Sequence, residues 1–298
     1  SLEGNTSCTD ANVADTDGDG LTDGTEDADG DGAQDASETD PCDSDSDDDG
    51  MNDGYESNNG LDPLSDDASG DLDGDSLSNM AECTKGTYAN DTDTDDDGMT
   101  DGWEATYESC GLDPLTGDST SDADSDGYKN VSEFNSGTNP CSWDTDSDGL
   151  GDSLEGNTSC TSPTSADSDA DGLNDGVEDG NTNGVQDGSE TNPCSWDTDS
   201  DGLGDSLEGN TSCTSALLSD SDSDGLNDGV EDGNTNGIQD GSETNPCDSD
   251  SDDDTIPDGY ESSYGLDPLS DDAALDLDGD SLSNLNEYGN STYANDWR

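Results

Sequence analysis

The chain has 298 residues, of which 82 are Asp or Glu against 3 Lys or Arg and no His, for a formal charge of −79. That balance excludes nucleic-acid binding, and 23% hydrophobic residues with a single Phe (Phe134) cannot fill the core of a compact domain of this length. Composition alone reads as a disordered acidic chain, yet the acids recur in register and nine cysteines recur at fixed places, which a solvated tail has no reason to keep.

The recurring unit is a twelve-residue phrase, DxDxDGxxDxxE with Asn allowed for Asp, found fourteen times. Oxygen side chains at positions 1, 3, 5, 9 and 12 describe a turn wrapped around a hard cation, with a backbone carbonyl offered at position 7. Calcium is the natural occupant, because it takes six to eight oxygens at flexible geometry. Gly at position 6 permits the positive φ that such a turn needs.

In chain order, the first two loops stand back to back: Asp15, Asp17, Asp19, Asp23 and Glu26, then Asp27, Asp29, Asp31, Asp35 and Glu38. The third uses Asp45, Asp47, Asp49, Asp53 and Glu56, and the fourth Asp71, Asp73, Asp75, Asn79 and Glu82. Asp93, Asp95, Asp97, Asp101 and Glu104 make the fifth, and Asp122, Asp124, Asp126, Asn130 and Glu133 the sixth. Asp144, Asp146, Asp148, Asp152 and Glu155 follow. A second tandem pair comes next, Asp167, Asp169, Asp171, Asp175 and Glu178, then Asp179, Asn181, Asn183, Asp187 and Glu190. The tenth loop is Asp197, Asp199, Asp201, Asp205 and Glu208. The third pair is Asp220, Asp222, Asp224, Asp228 and Glu231, then Asp232, Asn234, Asn236, Asp240 and Glu243. Asp250, Asp252, Asp254, Asp258 and Glu261 precede the last loop, Asp276, Asp278, Asp280, Asn284 and Glu287. Each loop is named below by its first residue.

Three loops replace the position-6 Gly, with Ser76, Thr255 and Ser281, and are expected to be strained or altered. Asn at position 9, and the Asn pairs of the Asp179 and Asp232 loops, keep an oxygen but lose charge, which should weaken ion binding. Fourteen divalent ions would carry the net charge from −79 to about −51, relieving self-repulsion.

Longer periods lie above the loop. NPCSWDTDSDGLGDSLEGNTSCTS occurs from Asn139 and again from Asn192, and DSDSDDDGMNDGYES from Asp43 returns as DSDSDDDTIPDGYES from Asp248. Both of the latter are followed by GLDPLSDDA. Stacked duplications predict one continuous array over 1–298, with sub-units near 1–42, 43–142, 143–195, 196–247 and 248–298. The expected fold class is irregular, helix- and strand-poor: an elongated, calcium-stapled tandem-repeat rod with disulfides and no single globular core. A helical turn is expected only after some loops, as at 101–107 or 76–82.

An EF-hand needs a helix on each side of its loop, yet Glu178 is followed at once by Asp179 of the next loop. The apolar residue also sits at position 7 (Leu21, Met51, Leu150, Leu173, Val185, Leu226, Ile238). This pattern resembles the thrombospondin type 3 repeat over nearly the whole chain. It departs from that family at position 12, which is Glu where the family often has Asp followed by Asn-Cys. The resemblance implies disulfide-linked repeats in which calcium ions, often more than one per repeat, replace apolar side chains as the structural core.

The cysteines bear independently on the same question. Cys8 and Cys42, Cys160 and Cys194, and Cys213 and Cys247 are each 34 positions apart and enclose a tandem loop pair. Aligning GWEATYESC with SLEGNTSC adds Cys110 and Cys141, and leaves Cys83 alone where the later copy has Tyr288. Bridges between successive repeats are the alternative connectivity. Each closure of this size is worth about 4 kcal/mol in the chain-entropy model. Zinc is disfavoured by the absence of His and of CxxC spacing. Asn5, Asn157 and Asn210 hold equivalent places in the repeated GNTSC turn and are candidate glycosylation sites, although sequons arise by chance in a chain this rich in Asn, Ser and Thr.

The chain begins and ends in mid-repeat, which suggests either a fragment of a longer array or ends that complete one another head to tail, with Cys83, Trp297 and Arg298 as contacts. Any signal peptide is removed or lies outside this stretch. No hydrophobic run approaches the roughly 18 residues of a membrane helix, so no membrane insertion is expected. Without His there is no credible general base near neutrality, and an enzyme is not expected. Disulfides and calcium together point to a secreted or cell-surface structural protein of a filament, stalk or matrix. The alternatives are the spacer of an adhesin that binds glycan or a surface protein, and a calcium reservoir.

Overall fold

The computed structural model describes residues 9–10, 12–30, 37–157, 160–210 and 213–296, apart from the side chain at 210. The chain divides into two compact units, Ser1–Trp143 and Asp144–Arg298. Neither contains a sheet among the described residues, where the only extended pairings are the isolated bridges Ser162 to Ser165 and Ser215 to Leu218. The fold is helix- and strand-poor, as composition led us to expect.

Helices are short and regularly placed. In the first unit they are α1 (Asp23–Glu26), α2 (Asp53–Asn59), α3 (Asn79–Lys85), α4 (Asp101–Tyr107) and α5 (Asn130–Ser136), with a 3₁₀ turn at Glu108–Cys110. In the second they are α6 (Asp152–Glu155), α7 (Asp175–Glu178), α8 (Asp205–Asn210), α9 (Asp228–Glu231), α10 (Asp258–Tyr264) and α11 (Asn284–Asn290). Each starts at position 9 of a loop, inside the motif rather than after it. The 101–107 expectation coincides with α4, whereas the 76–82 expectation is displaced to Asn79–Lys85.

Capping explains the start. Position 8 is extended, and Asn52, Ser78, Thr100 and Ser283 accept a hydrogen bond from the backbone N–H three residues on. The acids at positions 9 and 12 sit in the first turn, at the positive end of the helix dipole. Left-handed Gly60, Gly86, Gly137 and Gly265 stop α2, α3, α5 and α10 after two turns.

What lies inside is the inverse of an ordinary interior. The buried apolar side chains are few: Met51, Met99 and Leu112 in the first unit, Leu150, Leu203, Ile256 and Leu266 in the second, with small alanines. The principal cluster is Ile256, Leu266, Ala273 and Ala294, flanked by Tyr260 and Tyr264. Buried carboxylates outnumber them, above all the Asp at position 9 and the Glu at position 12. Charged groups are almost never fully buried unless paired or metal-bound, so this inversion bears directly on function.

Three disulfides are present among the described residues: Cys110 to Cys141, Cys160 to Cys194 and Cys213 to Cys247, with Cα separations of 5.5, 5.6 and 5.7 Å. The expected Cys8 to Cys42 bridge falls on Cys8, outside the described residues, as do Trp297 and Arg298. Cys83 is a free thiol. Tyr288, which replaces it in the later copy, packs edge-on against Tyr260 at 5.1 Å.

Candidate metal centre

The Asp45 loop shows how the motif folds. The Asp45 carboxylate accepts from the N–H groups of Asp49 (3.1 Å) and Gly50 (2.9 Å), and closes the turn. Asp47 Oδ1 accepts from Asp49 N at 3.0 Å, and Asp49 Oδ1 from Met51 N at 2.9 Å. Asp53 reaches back to Ser46, accepting from its N–H (2.9 Å) and its hydroxyl (2.6 Å). Positions 1, 3 and 5 are thereby turned inward, and Asp45, Asp47 and Asp49 place oxygens within 4.8 Å of one another. Asp15, Asp17 and Asp19 form the same trio.

Two backbone residues make this possible, and only one was legible beforehand. Position 6 is left-handed, as expected, but so is position 4, where Asp48 (φ 63°), Ser147 (φ 66°), Ala170 (φ 66°) and Thr182 (φ 55°) take a conformation that side chains resist. The three loops without a position-6 Gly keep the turn: Ser76 (φ 82°), Thr255 (φ 80°) and Ser281 (φ 85°) still donate their N–H to the position-1 carboxylate at 3.1, 2.7 and 2.9 Å. These loops are strained but not altered.

Within each unit, loops meet at seams. The residue after position 9 presses on the position-5 backbone of an earlier loop. Gly54 N donates to Asp19 Oδ2 (3.0 Å), Gly102 N to Asp75 (2.6 Å), Gly229 N to Asp201 (3.3 Å) and Gly259 N to Asp224 (2.7 Å). This contact brings a second kind of carboxylate group together, Asp19 with Glu26 and Asp53, drawn from two loops. The second loop of a tandem pair is bypassed, since Asp171 receives Ser206 N (3.1 Å) across the Asp179 loop.

The bypassed loops differ in chemistry. In the Asp179 loop Asn181 Nδ2 donates to Glu190 (2.7 Å) and Asp187 (3.3 Å), and Asn183 Nδ2 to Asp187 (3.2 Å). Asn234 does the same with Glu243 (2.7 Å) and Asp240 (3.0 Å) in the Asp232 loop. Amide N–H groups therefore satisfy the acids there, no helix starts, and Val185 and Ile238 at position 7 are 62% and 67% exposed. The Asp27 loop keeps Asp29 N on Glu38 at 2.9 Å, while Asp31 and Asp35 lie outside the described residues.

Elsewhere several acids keep oxygens that no hydrogen-bond donor reaches. Oδ2 of Asp17, Asp47, Asp73, Asp95, Asp169 and Asp222 is buried without a hydrogen-bond donor, and so are both carboxylate oxygens of Glu56, Glu82, Glu104 and Glu261. These four glutamates are 0% exposed. Burial, then the neighbouring aspartates, push all four up to about 8, and Glu208 to about 9. Asp95, Asp148, Asp199, Asp222 and Asp252 rise to about 6 for the same reasons, burial first. Buried anions so disposed need a counter-charge. An all-oxygen donor set of clustered carboxylates fits a hard metal ion.

Asp67 belongs to no twelve-residue loop and so does not stand out in the sequence, yet it joins Asp49 and Glu56 in one such group. Its signal was the repeated GLDPLSDDA phrase. Of the glycosylation candidates, Asn157 is exposed, while Asn5 and the Asn210 side chain lie outside the described residues. No described helix is long and apolar enough to cross a membrane. Comparison with protein-family models, curated proteins and solved structures returns no match.

Proposed function

We propose that this chain is an extracellular structural protein, a rod whose repeats are stiffened by calcium and stapled by disulfides, serving in a filament, stalk or matrix. The observation that carries the reading is the set of position-12 glutamates Glu56, Glu82, Glu104 and Glu261, wholly buried with oxygens that accept no hydrogen bond. A cation at each such place converts the costliest groups in the chain into its tightest contacts. Calcium suits them better than magnesium, which demands near-ideal octahedral geometry and keeps its waters, and extracellular calcium is abundant enough to fill weak sites. The three disulfides favour the same oxidising setting.

Calorimetric titration of chelated protein with calcium and with magnesium tests this. Saturable uptake of many calcium ions with recovery of far-UV structure, and much weaker uptake of magnesium, is expected. Absence of calcium uptake, or equal response to both ions, would overturn it.

A further inference from the structure

At the seam between the Asp15 and Asp45 loops the third carboxylate, Asp53, comes from position 9 of the later loop. The Asp71, Asp122 and Asp276 loops carry Asn at that position, which would leave their seams one charge short. In each case the Asn side chain instead holds an aspartate from the linker before it. Asn79 Nδ2 donates to the Asp67 carbonyl at 2.9 Å. Asn130 Nδ2 donates to the carbonyl and carboxylate of Asp118, both at 3.2 Å, and Asn284 Nδ2 to those of Asp272, both at 2.9 Å.

The linker is locked onto the earlier loop by the same device three times. Asp49 Oδ2 accepts from Asp67 N and Ala68 N (3.1 and 2.9 Å), and Asp97 Oδ2 from Asp118 N and Ser119 N (both 2.7 Å). Asp254 Oδ2 accepts from Asp272 N and Ala273 N (3.0 and 2.7 Å). Position 2 changes in step. Where position 9 is an Asp that starts a helix, a hydroxyl such as Ser46, Thr94 or Thr198 bonds its second oxygen. Where it is Asn, position 2 is Leu72, Ala123 or Leu277, and the amide is free to turn to the linker.

We propose that Asp67, Asp118 and Asp272 are cation ligands, each completing a seam site with the position-5 Asp and position-12 Glu of the preceding loop. Asn79, Asn130 and Asn284 are positioning residues. Independent support comes from Glu56, Glu104 and Glu261, each 0% exposed with neither oxygen hydrogen-bonded, and from Asp67 Oδ1, buried and likewise without a donor. The occupant is a hard divalent cation that bridges two repeats, distinct from the ion within a loop. This inference rests on the calcium reading above.

Native mass spectrometry of the calcium-loaded full chain counts the ions directly. Asp272→Asn should lose one calcium, and the exchange Asp272→Asn with Asn284→Asp, which moves the carboxylate to position 9, should regain it. Asp271→Asn, at an exposed neighbour, should change nothing. Retention of every ion in Asp272→Asn overturns the seam site while leaving loop binding intact. Loss in Asp272→Asn without recovery in the exchange also overturns it, since the effect would then be structural. A wild-type chain that binds no calcium overturns both readings together.

Discussion

At the scale of single residues, the decisive groups are acids placed where acids should not survive. Glu56, Glu82, Glu104 and Glu261 are raised to about 8 by burial and by neighbouring aspartates, against an ordinary value of 4.5. In the ion-free fold they hold protons that the unfolded chain has released. Their contribution to ion-free stability is therefore fully present below about 4.5 and is lost as pH rises through about 8. Chelated protein should show more far-UV structure at pH 5 than at pH 8, and calcium added at pH 7 should release protons into an unbuffered solution. Thr255 is a second residue-scale case. A β-branched side chain at φ 80° is strained, so Thr255→Gly should raise stability by about 1 kcal/mol in thermal unfolding with calcium present.

At the scale of the loop and its exit helix, several contacts between repeats depend on glycine at the seam. A Cβ on Gly54 would stand 2.2 Å from the Asp19 carbonyl oxygen, and one on Gly259 2.4 Å from that of Asp224. Gly54→Ala or Gly259→Ala should therefore cost about 1–3 kcal/mol, read as a lower unfolding temperature, whereas Gly241→Ala, in open space, should be near neutral. The bypassed loops make the opposite prediction. Asn181→Asp with Asn183→Asp removes the amides that satisfy Asp187 and Glu190, and should add a measurable calcium site in equilibrium dialysis.

Much of this element was legible in the sequence. The phrase fixes which oxygens turn inward, and the cysteine spacing anticipates the bridges Cys160 to Cys194 and Cys213 to Cys247. Two things were not legible. Position 4 is occupied by Gly, Asp, Ser, Ala or Thr, so its left-handed conformation leaves no compositional trace. Seam contacts join residues 27 to 35 apart, such as Gly102 with Asp75 and Gly54 with Asp19, and no local pattern encodes which earlier loop a glycine meets.

At the scale of the whole molecule, a chain of charge −79 with few buried apolar side chains has little to hold it except what binds its carboxylates and the bridges that limit its unfolded ensemble. The most direct measurement is small-angle X-ray scattering with far-UV circular dichroism on the oxidised protein, first in millimolar calcium and then after excess chelator at pH 8. Expansion with loss of the short helices, reversed on restoring calcium, is the expected result. Scattering and spectra unchanged by chelation would mean that buried carboxylates are tolerated without a cation, and would contradict the central claim.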